Sequence, residues 1–210
     1  ELQSILQKKK VDLFLAASID FEKQDPDLAY FAKYKSVGIL AIPKNKKPIL
    51  AVPEMEAKAT RKGGIKVAFP KEKKPLLKFL REQLKKQKIR PKKIAINNAE
   101  VTLQLKSFLR KTFKASFVDM SKELAHLRAT KTKEEITLIK KGYKISDTIF
   151  EKAIKQFKKG KTETQIATFF EYEAKKRGCE LAFPVIIASG KRASEVHHFP
   201  INKRLLKGFC

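Results

Sequence analysis

The chain has 210 residues, of which 42% are hydrophobic and 15 are phenylalanine, so it can bury one large core or two small ones. No window approaches the ~18 uninterrupted apolar residues that a membrane-spanning helix needs, and residues 1–4 carry no apolar signal-peptide core. These features exclude a membrane span and favour a soluble, cytoplasmic protein.

The net charge of +26 comes from lysines that are spread along the whole chain. Arginines are few and aromatic residues rarely interleave with the lysines, which is typical of a solvated surface and not of a dedicated nucleic-acid reader. Such a surface attracts polyanions at low salt without recognising a base sequence. We therefore expect nucleic acid to bind only non-specifically.

Several common functional sites are not indicated by the sequence. Cys179 and Cys210 have no further Cys or His at zinc-finger spacing, so we expect incidental thiols in place of a disulfide framework or a zinc finger. The Gly63-Gly64 pair is a lone turn and not a phosphate-binding loop. Ser189 lacks the flanking glycines of a nucleophile elbow, which excludes a serine hydrolase of that type.

The first part of the chain alternates short apolar runs with amphipathic patterns, which is typical of an α/β domain. Asp25 and Pro26 mark a helix start, residues 75–88 show helical spacing, and Asn98 can cap the helix that follows it. The short apolar runs predict strands over residues 11–17, 37–42, 48–52, 94–96 and 115–118.

The pattern changes in the second part of the chain. Thr132 and Glu135 form a capping box at the start of a long helix that Gly160 can end, and Thr162 and Gln165 form a second capping box. Two long helices are therefore expected one after the other.

A predicted strand follows these two helices. Gly178 can end the second helix, and the apolar run over residues 182–188 has strand character before Ser189 and Gly190 close it. Two helices and one strand indicate the opening of a second domain.

Four segments resemble motifs of one enzyme family. Residues 128–136 resemble the R-x-x-K-[ST]-x-x-E-[IL] helix start of Xaa-Pro aminopeptidases and prolidases, and residues 160–163 resemble their G-x-T-E turn. Residues 183–190, followed by His197, resemble F-x-x-I-x-A-S-G…H, and residues 27–31 are similar to an N-x-x-Y-[LF] segment. In order and spacing, the chain resembles the creatinase/prolidase/methionine aminopeptidase superfamily.

This resemblance implies a fold and an activity. The expected fold is a creatinase-like N-terminal α/β domain over residues 1–121, followed by the incomplete opening part of an α+β pita-bread catalytic domain over residues 122–210. The activity it implies is hydrolysis of peptide bonds next to proline, by an aminopeptidase P or a prolidase-type dipeptidase. A proline-containing peptide is the implied substrate.

The resemblance also implies a metal requirement. The family binds two divalent metal ions, Mn, Co or Zn, through two Asp, one His and two Glu, and the first Asp follows a Gly-Asp turn. That turn corresponds here to Gly208-Phe209, so all five ligands would lie beyond Cys210. We therefore expect a chain truncated before the metal ligands, which binds no metal by itself and is inactive alone without the missing metal-binding part. The expected partner is a complementary C-terminal half or a second copy of the chain in a homodimer.

The resemblance makes His197 the catalytic candidate. In the family the corresponding histidine contacts the substrate near the scissile bond, where an imidazole can donate to an oxygen that gains charge. The alternative is an ordinary exposed loop histidine. In an extended segment His198 would face the opposite way, and Glu195 with His197 supplies too few ligands for a metal. His126 is expected to be structural.

Two alternatives remain open. The acids Glu134, Glu135 and Glu163 stand in first helical turns, where the helix dipole favours them without any catalytic role. For the whole chain, the alternative function is a non-catalytic binding module of the same superfamily, which binds protein or a polyanion.

Overall fold

A computed structural model describes residues 1–20, 23–58, 65–158 and 160–205. Its contacts divide the chain into two compact units, residues 1–130 and residues 131–210. The domain limits drawn from the sequence, 1–121 and 122–210, stay a prediction. Three features named above lie outside the described residues: Gly63-Gly64, Gly208-Phe209 and Cys210.

Six strands form one mixed sheet in the first unit: β1 (Leu13–Ser18), β2 (Gly38–Pro43), β3 (Ile49–Ala51), β4 (Lys66–Ala68), β5 (Lys93–Ile96) and β6 (Ser116–Asp119). Their order in the sheet is β4-β3-β2-β1-β5-β6. Strand β2 is antiparallel to β1 and β3, and the other neighbouring pairs are parallel. Five of these strands confirm the sequence prediction, whereas β4, an edge strand with no fully buried side chain, was not predicted.

Five helices cover the two faces of this sheet: α1 (Leu2–Lys8), α2 (Pro26–Ala32), α3 (Leu76–Lys86), α4 (Leu103–Thr112) and α5 (Ser121–Ala129). One apolar cluster joins α1, α2 and α5 to Phe14 and Ala16 of β1, and a second joins α3 and α4 to Leu13 and Leu15. Successive side chains of a strand point to opposite faces. The continuous apolar run of β1 therefore reflects burial on both sides.

The predicted cap of α4 is wrong. Residues 98–100 form a turn, closed by the backbone N–H of Val101, which donates to the carbonyl of Asn97. The helix begins only after Thr102, whose hydroxyl accepts from the N–H of Leu105 at 3.2 Å. Asn98 instead accepts a hydrogen bond from the Lys106 ammonium group at 2.9 Å. The turn delays the helix, so a different polar residue caps it.

The second unit contains α6 (Lys133–Ile154), α7 (Glu163–Lys176) and a short 3-10 turn over Gly190–Ser194. Both predicted capping boxes are confirmed, at Thr132 and at Thr162. The predicted end of α6 at Gly160 is wrong. Tighter hydrogen bonds begin with the N–H of Gln156, which donates to the carbonyl of Ala153, and they end the α-helical pattern earlier.

The strand predicted over residues 182–188 is also wrong. Within the described residues this segment pairs with no other strand, and its side chains alternate in burial only from Val185 to Ile187. Val185 and Ile187 pack against Ile166 of α7, whereas Phe183 and Ile186 are exposed. The apolar run therefore predicted an extended chain with two faces, but not the hydrogen-bonded neighbour that a strand requires.

Helix α6 leaves much of its apolar surface uncovered. Only Ile149 and Ala153 are buried among its described side chains. Six large apolar side chains of the helix are between 42% and 68% exposed: Ile136, Leu138, Ile139, Tyr143, Phe150 and Ile154. No helix in the described ranges is both long enough and apolar enough to cross a membrane.

Candidate functional site

A buried carboxylate lies at the start of α7. Glu163 is 0% exposed. Its Oε1 accepts hydrogen bonds from the backbone N–H of Ser189 at 2.9 Å and from the Ser189 hydroxyl at 2.8 Å, and its Oε2 accepts from the N–H of Ile201 at 3.3 Å. One carboxylate therefore ties the start of α7 to both ends of the loop that carries His197.

The environment of Glu163 favours its ionised form. Burial raises the pKa of the carboxyl group, but the hydrogen bonds from Ser189 and Ile201 and the positive charge of Arg192 lower it by more. The net pKa lies below the ordinary value of 4.5. The group is therefore a buried anion whose charge is compensated by donors and by a nearby cation.

Backbone hydrogen bonds fix the far end of the same loop beside the start of α7. The N–H groups of Glu163 and Thr164 donate to the carbonyls of Lys203 and Ile201, at 3.1 and 3.2 Å. The N–H of Leu205 donates to the carbonyl of Lys161 at 2.8 Å. These bonds use N–H groups that a helix start otherwise leaves unpaired.

A glycine turn fixes the near end of the loop. Gly190 has a φ of +61°, a left-handed conformation that other residues rarely adopt. The Lys203 ammonium group donates to the carbonyl of Ser189 at 3.0 Å, and a Cβ at Gly190 would lie 3.4 Å from that nitrogen. Ser189 and Gly190, the Ser-Gly pair of the family motif, thus form a specific turn, and the Ser189 hydroxyl donates to Glu163.

His198 is buried inside the loop, with 5% of its surface exposed. Its Nδ1 lies 2.8 Å from Nη2 of Arg192 and 3.1 Å from a carboxylate oxygen of Glu195. Nδ1 can accept from Arg192 only without a proton, and it can donate to Glu195 only with one. Its Nε2 lies 3.6 Å from Glu163, too far for a hydrogen bond.

His197 is exposed, on the opposite side of the chain from His198. Its neighbours Val196 and Phe199 are 79% and 70% exposed, so the imidazole stands on a solvent-facing apolar strip. The structure thus presents His197 outward from a loop whose two ends are fixed by Glu163. Its contact with substrate stays a prediction.

The other residues singled out from the sequence lie elsewhere. Glu195 contacts His198 and does not share a cluster with His197. His126 is exposed on α5, and the Cys179 thiol contacts the carbonyl of Arg177 at 3.7 Å. Among the described residues, no three His, Cys, Asp or Glu side chains come together in a way that could hold a metal ion. These residues therefore do not fit the metal site of a metallopeptidase.

Arg128 is the first residue of the segment that resembles the family's helix-start motif. It has a structural role in the first unit. Its guanidinium lies 3.3 Å from Oδ1 of Asp27, a residue with 0% exposure. The Asn97 amide donates to the other oxygen of Asp27 at 2.7 Å. The end of α5 is thereby held to the start of α2 through a buried carboxylate.

Sequence reasoning missed Glu163 and His198 as members of the site. An acid in the first turn of a helix is explained by the helix dipole alone, and nothing in the local sequence shows that Glu163 is buried. The available signal was the resemblance of residues 160–163 to a G-x-T-E turn, because the dipole alone does not require one particular acid at that position.

Two family profiles match consecutive parts of the chain. Residues 1–130 match the Creatinase/Prolidase N-terminal domain, and residues 137–209 match Metallopeptidase family M24. Among curated proteins, the Xaa-Pro dipeptidase of Pyrococcus furiosus is 36% identical over 105 residues, which are 50% of this chain and 30% of that protein. An uncharacterized peptidase of Staphylococcus epidermidis is 26% identical over 212 residues, which cover 98% of this chain and 57% of that protein.

Solved structures show the same likeness. The X-Pro aminopeptidase from Thermotoga maritima superposes with a TM-score of 0.86 at 25% identity, over 100% of this chain and 58% of that chain. The prolidase from Pyrococcus furiosus gives a TM-score of 0.83 at 24% identity, over 99% of this chain and 62% of that chain. The chain thus spans less than two thirds of the length of these proteins.

Proposed function

The chain belongs to the creatinase/prolidase family of M24 metallopeptidases, as its motifs predicted, and on this premise we propose that it forms the N-terminal portion of an enzyme that hydrolyses peptide bonds next to proline. The observation that carries the proposal is the superposition of the whole chain on the Thermotoga maritima X-Pro aminopeptidase. The substrate is a proline-containing peptide, cleaved in the manner of an aminopeptidase P or a dipeptidase.

We propose that His197 is the residue of this chain that contacts the substrate. It is exposed on a loop that Glu163 holds at Ser189 and at Ile201. From that position the imidazole can donate a hydrogen bond to a peptide oxygen that gains charge during hydrolysis. A loop fixed at both ends supports this role because a donor must be positioned before the reaction to stabilise the developing charge.

The metal ions of the enzyme, Mn, Co or Zn by the resemblance, would be held by residues outside the described ones. Activity would then require a complementary C-terminal half that supplies these residues. The exposed apolar side chains of α6 support such a partner, because large uncovered apolar patches mark surfaces that associate.

A fusion protein tests the proposal. The chain would be joined to the C-terminal remainder of the Thermotoga maritima X-Pro aminopeptidase, and cleavage of an Xaa-Pro peptide would be compared with cleavage of the same peptide carrying alanine in place of proline. We expect cleavage of the proline peptide alone. A folded fusion that cleaves neither peptide, or both equally, would contradict the proposal.

The second candidate is a non-catalytic binding module, which the net charge of +26 favours. Titration of the unfused chain with DNA at low and at high salt distinguishes the peptidase proposal from the binding module. On our account binding is weak, independent of sequence and lost as salt rises, because only phosphate contacts are made. A sequence preference that survives high salt would favour the binding module.

A further inference from the structure

A groove in the first unit has the properties of a ligand site that the proposed peptidase function does not use. It lies between α3 and α4, reaches the end of β1 and has a volume of about 710 Å³. Small-molecule sites commonly occupy ~300–1,000 Å³ and are mostly apolar with a few polar groups. The groove is formed by residues of the first unit alone.

The floor of the groove is apolar and, among the described residues, partly exposed. Leu76 and Leu77 of α3 line one side and Phe108 of α4 lines the other. Ile19 and Phe108 are each 47% exposed, in a unit whose central strands are buried on both faces. Large apolar side chains that remain exposed side by side mark a surface that binds something.

The groove also reaches the ends of two neighbouring strands of the sheet. By their pairings β1, β3, β4, β5 and β6 all run in the same direction, with β2 reversed. The groove reaches the carboxyl end of β1 through Ser18 and Ile19 and the start of β2 through Val37 and Ile39. It therefore lies beside the antiparallel pair β1 and β2.

The rim of the groove is positively charged. Four basic side chains line it: Lys78, Arg81, Lys85 and Lys111. The one acid among its lining residues is Glu82, whose two oxygens accept hydrogen bonds from the Lys74 ammonium group at 2.9 and 2.8 Å. The rim therefore keeps a net positive charge beside an apolar floor.

From this combination we propose that the groove binds an amphiphilic carboxylate, a molecule with an apolar chain and one anionic head, of the medium-chain fatty acid class. The chain lies against Phe108 and Leu77, and the carboxylate lies at the rim near Lys78 and Lys111. The same protein thus has a binding site for an amphiphilic anion in its first unit, independent of peptide cleavage.

Titration calorimetry of the full chain with dodecanoate, dodecanol and dodecyltrimethylammonium tests this proposal. We expect saturable binding of one dodecanoate per chain, with dodecanol at least about tenfold weaker and the cation undetectable, because only the carboxylate is attracted by the basic rim. Absence of saturable dodecanoate binding, or equal binding of the cation, would overturn the proposal.

Two pairs of variants locate the site. Phe108→Ala removes apolar floor and K78Q/K111Q removes rim charge, and each should weaken dodecanoate binding about tenfold. Their controls are Leu103→Ala on the same helix, where Leu103 is 88% exposed, and K8Q/K122Q on α1 and α5. The controls should change binding less than about twofold. Equal weakening by the controls overturns the site.

Sedimentation velocity decides whether another occupant fills the groove. If a second copy of the chain occupies it, Phe108→Ala will dissociate a dimer and dodecanoate will have no effect of its own. That result would also overturn the proposal. Circular dichroism confirms that each variant is folded before it is compared.

Discussion

The Glu163 carboxylate accepts hydrogen bonds from residues 26 and 38 positions further along the chain. Glu163→Gln keeps the side chain's size but turns one acceptor into a donor that faces an N–H group. We expect the change to cost the second unit about 1–3 kcal/mol of unfolding free energy, the penalty for an unpaired buried group. Amide exchange over residues 163–205 measures it, and the exposed Glu171→Gln on the same helix is the control.

The pH dependence of this contribution has a defined sign. Because the pKa of folded Glu163 lies below the ordinary value of 4.5, its stabilisation is fully present above that pH and is lost as the pH falls through the folded-state pKa. The stability difference between the chain and Glu163→Gln should therefore be large at about pH 7 and smaller below about pH 4. A difference that is the same at both pH values would contradict this assignment.

At the scale of single residues, the sequence indicated His197 as a candidate site residue but not the contacts that hold its loop. In an extended segment His197 and His198 would face opposite ways. The structure instead has a turn at residues 196–197, with His197 exposed and His198 buried. The partners of His198 could not be predicted, because the contact with Glu163 depends on how a loop folds back on α7. When a polar side chain is buried by residues that are distant in the sequence, the local sequence carries no sign of it.

At the scale of elements, the capping boxes offer a direct test. The Thr132 hydroxyl accepts from the N–H of Glu135, and the Glu135 carboxylate accepts from the N–H of Thr132. Thr132→Ala should lower the stability of α6 by about 1 kcal/mol, whereas Thr132→Ser, which keeps the hydroxyl, should change it little. Helicity measured by circular dichroism during thermal unfolding compares the two, and equal losses would contradict the role of the cap.

Elements whose signals are local were predicted well, and those that depend on a neighbour were not. The start of α2 follows from Asp25, whose side chain accepts from the N–H groups of Asp27 and Leu28. The segment over residues 182–188 failed as a strand because a continuous apolar run favours an extended chain but does not supply a hydrogen-bonding partner. Strand β4 was not predicted because it lies at the sheet edge and none of its three side chains is fully buried, whereas β3, of the same length, is buried throughout.

At the scale of the whole molecule, the exposed apolar surface of α6 predicts self-association. Leu138 is 68% exposed and Phe150 57% exposed on one helix. We expect the apparent mass to rise with protein concentration, because association removes this surface from water. The double variant Leu138→Glu with Phe150→Glu should remain monomeric over the same range, as measured by sedimentation velocity.

A matched variant separates this effect from added charge alone. Met55→Glu places a carboxylate at a side chain that is 95% exposed in the first unit. It should leave the association of the chain unchanged. A chain that stays monomeric at every concentration would show that the exposed apolar surface of α6 does not drive self-association.

The central claim, that this chain contributes a substrate-contacting histidine to an Xaa-Pro peptidase, is tested most directly in the fusion with the Thermotoga maritima C-terminal remainder. His197→Ala should lower kcat/KM for an Xaa-Pro peptide about a hundredfold, the usual cost of losing a donor to developing charge. His126→Ala, an exposed histidine on α5, should leave kcat/KM within about twofold. An active fusion whose kcat/KM does not respond to His197→Ala would contradict the account.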